Sequence, residues 1–296
     1  MTYRPALLVV VFVLGAACGG AAKLQPRRGI EAAALPYRVL EARGGQEVPR
    51  AELLARLRKA PAVCLGERHP NPHDHWLQLE LWKELAANDV ALGMEMFQLP
   101  FQGVLHDYAS GRIDEATMLA RTGWEDRWGY DFALYRPILA VALERARPLL
   151  ALNAPRELVR KVSKVGLDGL TPAERAQLPE LVLDDAAHRA YFEAATEGHE
   201  MPEAGKDSFY AAQVVWDETM ADTASRWLAA GEGRRIVILA GTGHCHDRAI
   251  PARMRRRGVS QTISLRAVID DGKGAVAEAL AEPEGDYLSV MEVPRR

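Results

Sequence analysis

Short apolar runs rich in β-branched residues alternate along this chain with longer stretches of helical periodicity. That alternation constrains the fold most, because strands separated by helices pair in parallel through crossover connections. Residues 62–65, 90–96, 149–152 and 235–240 read as buried strands, with later ones at 259–268 and 287–293. The segment 37–40 reads as an edge strand, followed by a turn at Gly44-Gly45. Helices are expected over 48–59, with Leu53, Leu54 and Leu57 on one face, and over 72–87 and 206–230. Thr171-Pro172-Ala173-Glu174 is a capping signature, and Asp184 stands before a helical run over 186–195. The expected architecture is α/β: one domain over 36–294, with a mostly parallel sheet flanked by helices and a helical cap inserted over 155–230.

The N-terminus reads as a targeting segment. Arg4 precedes an unbroken apolar run over 6–17, and Cys18-Gly19-Gly20 follows. That run is shorter than the roughly 20 residues a membrane span needs, but it fits the core of a secretory signal. A Cys directly after Gly15-Ala16-Ala17 resembles a bacterial lipoprotein cleavage site, with Cys18 as the lipidated residue. Gly15 departs from the branched aliphatic usual there. A plain secreted protein and an uncleaved anchor are the alternatives. Gly19 after the Cys points to outer-membrane sorting, hence to a lipid-anchored envelope protein. Residues 19–35 read as a tether. The net charge of −3 and the absence of a long basic run argue against nucleic acid as a partner. Arg253 and Arg255-Arg256-Arg257 read as solvated cations at a helix end.

Two strand ends share a pattern. Leu65-Gly66-Glu67-Arg68-His69 and Ala240-Gly241-Thr242-Gly243-His244 each leave an apolar run through glycine and reach histidine three residues later. Polar residues at the carboxyl ends of parallel strands are where α/β proteins hold ligands. Glu95, Asn153 and His246 stand at matching positions. Two imidazoles with one or two carboxylates suit Zn²⁺, Mn²⁺ or Fe²⁺, and equally a general base with an orienting partner. His73 and His75 extend the first motif at a helix start, where His73 and Asp74 alternatively cap a solvated terminus. His106, His188 and His199 read as surface residues.

Three cysteines are present. Cys64 and Cys245 flank the two motifs. A disulfide can form if the two strands are neighbours, but strand alternation points Cys64 into a helix layer, and a buried free thiol is the expectation. The segment 124–135 gathers Trp124, Trp128, Tyr130 and Tyr135 with acids and Arg127. It either lines a flat apolar ligand or fills a core beneath a loop.

Leu-Gly-Glu-x-His at 65–69 with His75 and Gln78, Leu-Gly-Met-Glu-Met-Phe at 92–97, Trp-Glu-x-x-Trp-Gly at 124–129, Tyr-Arg-Pro at 135–137, Leu-Asn-Ala-Pro-Arg-Glu at 152–157, Trp-Asp-Glu-Thr-Met at 216–220 and Ala-Gly-x-Gly-His at 240–244 occur in this order. Over residues 50–260 the set resembles the ChaN family of iron-regulated, haem-binding lipoproteins. That family sits in the haem-uptake and Tiki superfamily, similar to TraB and erythromycin-esterase proteins. The resemblance implies a surface-attached protein in haem and iron acquisition, with two haems face to face in a homodimer and an outer-membrane haem receptor as partner. It implies tyrosine as iron ligand; Tyr130 and Tyr135 are the candidates, with Tyr108 behind them. Enzymes of the superfamily use the two Gly-x-x-His turns and a Glu, which map onto His69, His244 and Glu95. The alternative function is therefore a metal-dependent hydrolase with a divalent transition metal on His69, Glu95, His244 and His75, and Glu67 as general base. Pro70 and His73 stand where the family commonly carries acids. A third reading is a structural lipoprotein whose polar strand ends only cap turns.

Overall fold

The computed structural model describes residues 29–196 and 205–292. Cys18, the signal segment and His199 lie outside them. Eight strands form one sheet: β1 (Tyr37–Glu41), β2 (Glu47–Val48), β3 (Ala62–Glu67), β4 (Val90–Gln98), β5 (Leu149–Asn153), β6 (Arg235–Gly241), β7 (Thr262–Asp270) and β8 (Tyr287–Glu292). Their order is β2-β1-β8-β7-β3-β6-β4-β5. From β8 to β5 every neighbour is parallel, while β1 runs antiparallel to both β2 and β8. The expected α/β sheet is present, with one correction at its margin. β1 is not an edge strand; the two-residue β2 takes that place.

β3 and β4 are buried along their whole length, as parallel strands covered by helices on both faces must be. Side-chain alternation sorts β3 between two cores. Val63 and Leu65 pack with Leu77, Leu81, Trp82 and Ile138, whereas Ala62 and Cys64 pack with Met220, Ala224 and Met254. The first layer is led by the Pro72–Leu85 helix, which starts with proline at its first turn and Asn71 as its cap. The second is led by Lys206–Ala229, the long helix of the inserted cap.

Three further expectations are corrected. The tether's described end is not loose: Ile30–Ala33 forms a 3₁₀ turn, and Ile30 sits in the first core. The arginines near residue 255 are not all solvated. Arg253 is buried, and Arg253, Arg256 and Arg257 converge on the buried carboxylate of Glu218. A buried carboxylate needs such partners, so these cations anchor the Ile250–Arg256 helix to the cap. Finally, Cys64 is not a free thiol but is disulfide-bonded to Cys245, with Cα atoms 5.4 Å apart. Among the described residues no helix is long and apolar enough to cross a membrane.

Candidate functional site

Parallel registry brings the two motifs together. β3 and β6 are direct neighbours, and Glu67 pairs with Gly241 at their carboxyl ends. Beyond β6 lies β4, whose pairing with β5 slips between Met94 and Gln98. Such an irregularity re-aims side chains near a strand end, and Glu95 lies within it. The Glu95 carboxylate turns toward β6 and accepts the Gly241 N–H at 2.6 Å.

Glu67 is the hub of the first half-site. Its Oε1 accepts from His69 Nδ1 at 2.9 Å and from the Tyr135 hydroxyl at 2.7 Å. Its Oε2 accepts from Gln78 Nε2 at 2.9 Å, with His75 Nδ1 at 3.5 Å. His75 is buried and its Nε2 donates to the His69 carbonyl at 2.8 Å. Burial pushes the Glu67 carboxyl up, but His75 and His69 outweigh it and hold it below the ordinary carboxylate range. Because a carboxylate only accepts, His69 Nδ1 carries the proton and Nε2 holds the lone pair of the neutral ring. The His69 side chain is 21% exposed. Its basicity is pushed down by burial and up more strongly by Glu67 and Glu95, for a net rise.

The second half-site centres on His244. Its Nδ1 lies 2.6 Å from Asp217 Oδ1, and its Nε2 3.3 Å from Glu95 Oε1. Burial opposes the charged ring, yet Glu95 and Asp217 together raise its pKa to about 10. In return His244 outweighs burial at Glu95 and holds that carboxyl at about 2. Asp217 continues inward: its Oδ2 meets His188 Nε2 at 3.0 Å, and His188 Nδ1 meets the Tyr210 hydroxyl at 3.1 Å.

The two halves touch through Gly241. A Cβ there would stand 2.9 Å from His69 Cε1 and 3.1 Å from its Nε2, so only glycine lets the His69 ring lie over this turn. An aromatic rim closes the site. Half-buried Trp128 and Tyr130 place their rings 4.6 Å and 5.1 Å from that of His69. Trp124 is a core residue, donating to the Tyr130 carbonyl.

Glu67, His69, His75, Glu95 and His244 thus come together. Asn153 does not join them; its Oδ1 accepts from Ala154 N–H within its own turn. His246 is buried beyond the site against Tyr191 and His188. Tyr108 packs near Glu115 and Arg136. Tyr135 is fully buried: its hydroxyl donates to Glu67 and accepts from Trp128 Nε1 at 3.1 Å. His188 is corrected from surface to core. Asp74, in the first turn of the Pro72–Leu85 helix, is buried and paired with Arg68, and Asn71 is the cap. Sequence reasoning missed Asp217. Its signals are the Trp-Asp-Glu-Thr-Met motif at 216–220 and its spacing with Tyr210, Val214 and Ala221 on the buried face of a long helix.

Each expected metal ligand has a protein partner in this arrangement. The ring nitrogens of His244 face Asp217 and Glu95. His75 Nε2 is engaged by a backbone carbonyl, while its Nδ1 makes no hydrogen bond and lies 3.5 Å from Glu67. Among the described residues no three His, Cys, Asp or Glu side chains are arranged to hold a metal ion.

Fold and site together define an α/β protein with a buried acid–imidazole cluster at the carboxyl edge of a parallel sheet, under an aromatic rim. The haem-binding uptake, Tiki superfamily, ChaN family model matches residues 53–254, and the chain belongs to that family. The ChaN structure of Campylobacter jejuni, described as showing cofacial haem binding, superposes with a TM-score of 0.67 over 87% of this chain and 97% of that one, at 16% identity. An erythromycin esterase in its open conformation gives a TM-score of 0.45 over 79% of this chain and 77% of that one, at 14% identity. The chain is 25% identical over 256 residues to the chloroplastic protein RETICULATA-RELATED 5 of Arabidopsis thaliana, covering 79% of this chain and 34% of that protein. The chain therefore spans about a third of that relative's length.

Proposed function

We propose that this protein binds haem on the open face beside Tyr130 and takes part in iron acquisition at a bacterial cell envelope, anchored through Cys18. Family membership supports the ligand. The observation that carries the placement is the contrast between the two tyrosines. The Tyr135 hydroxyl is sealed between Glu67 and Trp128, whereas Tyr130 is half-buried at the rim with His69 behind it. Phenolate oxygen is an established ligand for haem iron. Burial and the charges of Glu95 and Glu67 disfavour a bare Tyr130 phenolate, so a cationic iron would supply the compensation.

The rim supports an open face, since Trp128 and Tyr130 are both partly exposed there. A flat macrocycle would lie on the surface and need cover from outside. A second copy of the chain, its haem facing the first, is the cover in keeping with the cofacial arrangement named for the Campylobacter protein. An outer-membrane haem receptor is the partner expected of such a role.

Haemin titration of the full chain in detergent tests this reading. A saturable Soret shift is expected, lost in Tyr130→Phe and kept in Tyr135→Phe. No saturable shift in the wild type would end it.

A second reading rests on one further observation, the Glu67–His69 pair. A carboxylate fixing Nδ1 and leaving Nε2 as acceptor is the arrangement of a general base. With His244 held as a cationic donor nearby, the hydrolase alternative becomes an acid–base site built from protein groups. Hydrolysis of p-nitrophenyl esters that disappears in His69→Ala would support it; equal rates in both proteins would remove it.

A further inference from the structure

The Cys64–Cys245 disulfide joins segments that the sheet already joins. β3 and β6 pair in parallel from Ala62–Ile236 to Glu67–Gly241, in the middle of the sheet and between two cores. What lacks a ladder is the turn after β6. Its backbone is held by Thr242 N–H to the Glu67 carbonyl, by His244 and Cys245 N–H to the Gly241 carbonyl, by Asp247 N–H to the Glu284 carbonyl, and by Ile250 N–H to the His244 carbonyl. Cys245 follows His244 directly. Cys64 and Gly66 share one face of β3, two residues apart. A Cβ on Gly66 would stand 3.3 Å from Thr242 Cα and 3.4 Å from Cys245 Cβ. The turn therefore lies flat on β3, fitted over Gly66 and bonded at Cys64, and this seats His244 between Asp217 and Glu95.

We propose that this disulfide is a redox switch for the site: oxidised, it holds the 241–250 turn with His244 in place; reduced, it releases the turn and leaves the sheet intact. The inference goes beyond the haem reading and does not depend on it. Cys64 and Cys245 are both buried. Cys245 lines a shallow depression together with His246, Ser264 and Arg266, the side from which a reductant would come. A dithiol would act by ordinary exchange. One of its thiolates attacks Cys245 Sγ, the S–S bond breaks, and Cys64 leaves as a thiolate that takes a proton. The second thiolate of the reductant then closes on the mixed disulfide, so the reductant is oxidised to its own disulfide and Cys245 is released as a thiol. A site that needs the bond would mature only in an oxidising compartment, the setting in which structural disulfides persist.

Hydrogen exchange read by mass spectrometry on the full chain in detergent tests the switch, with far-UV circular dichroism as the control for fold. Wild-type protein is compared before and after dithiothreitol, alongside the Cys64→Ser/Cys245→Ser double variant. The expected result is an unchanged far-UV spectrum, with amides of 241–250 exchanging about ten-fold faster or more once the bond is gone. Equal exchange in both redox states would overturn the proposal, because the turn would then hold itself. Collapse of the far-UV signal on reduction would also overturn it, because the bond would then hold the fold. If the double variant does not fold, the reduced wild type decides alone. No haem enters the measurement, so its outcome is independent of the titration above.

Discussion

Asp217 and His244 meet at 2.6 Å, one from the long helix of the inserted cap and the other from the turn after the central strand β6. Asp217 is fully buried and divides its two oxygens between His244 and His188. Removing its charge would leave two buried imidazoles facing a neutral amide. Asp217→Asn is expected to lower stability by roughly 3–5 kcal/mol, the range for breaking a buried charge pair. Urea unfolding measures this. The His244 ring should also titrate well below its present value of about 10 when followed by NMR.

Stability should peak between two limbs set by buried histidines. Burial holds His246 at about 3 against an ordinary 6.5. The unfolded chain therefore binds more protons than the folded one between those values, and stability falls as pH drops from 6.5 toward 3. Glu95, held at about 2 against 4.5, adds a further loss below 4.5. His244 works in the opposite sense. Its pKa rises from 6.5 to about 10, so its contribution is complete below 6.5 and is lost as pH rises through 10. Thermal melts from pH 3 to pH 10 should show a maximum near neutrality. A monotonic rise toward high pH would contradict the assignment of His244.

Tyr135→Phe separates structure from ligand binding. The hydroxyl donates to the Glu67 carboxylate and accepts from Trp128, and its loss leaves both groups short of a partner. A cost of roughly 1.5–3 kcal/mol is expected, as for a buried hydrogen bond to a charged group. Chemical denaturation supplies the number.

Gly241→Ala should strike the His69 ring directly. The added methyl would sit 2.9 Å from His69 Cε1, closer than real carbons approach. Overpacking of this kind costs about 1–3 kcal/mol. The aromatic rim should report it: Trp128 packs edge-on to His69, so its fluorescence is expected to shift.

Much of this molecule is legible in local pattern. Apolar runs and helical periods place the parallel strands and the leading helices, since burial on both faces of a strand leaves a continuous apolar signature. Strand ends followed by Glu67, His69, Glu95 and His244 single out the site, since parallel strands bring their carboxyl ends to one edge. What local pattern conceals is partnership. The histidine at 188 reads as a surface residue because nothing near it in the chain accounts for its burial; its partners, Asp217, Tyr210 and Arg253, come from elements far away. Arginines 253, 256 and 257 look solvated for the same reason, and only Glu218 explains them.

The sequence by itself determined the α/β architecture, the family and which strand ends carry polar groups, because each of these is written in short-range order. Tertiary structure alone decided what those groups do for one another. It set Asp217 and Glu95 on opposite nitrogens of His244. It sealed Tyr135 and left Tyr130 at the rim. It also folded the turn after β6 back onto β3, so that Cys245 met Cys64. Charge pairing, hydroxyl burial and disulfide reach depend on distances of a few ångströms between segments far apart in the chain, and those distances exist only once the sheet has formed.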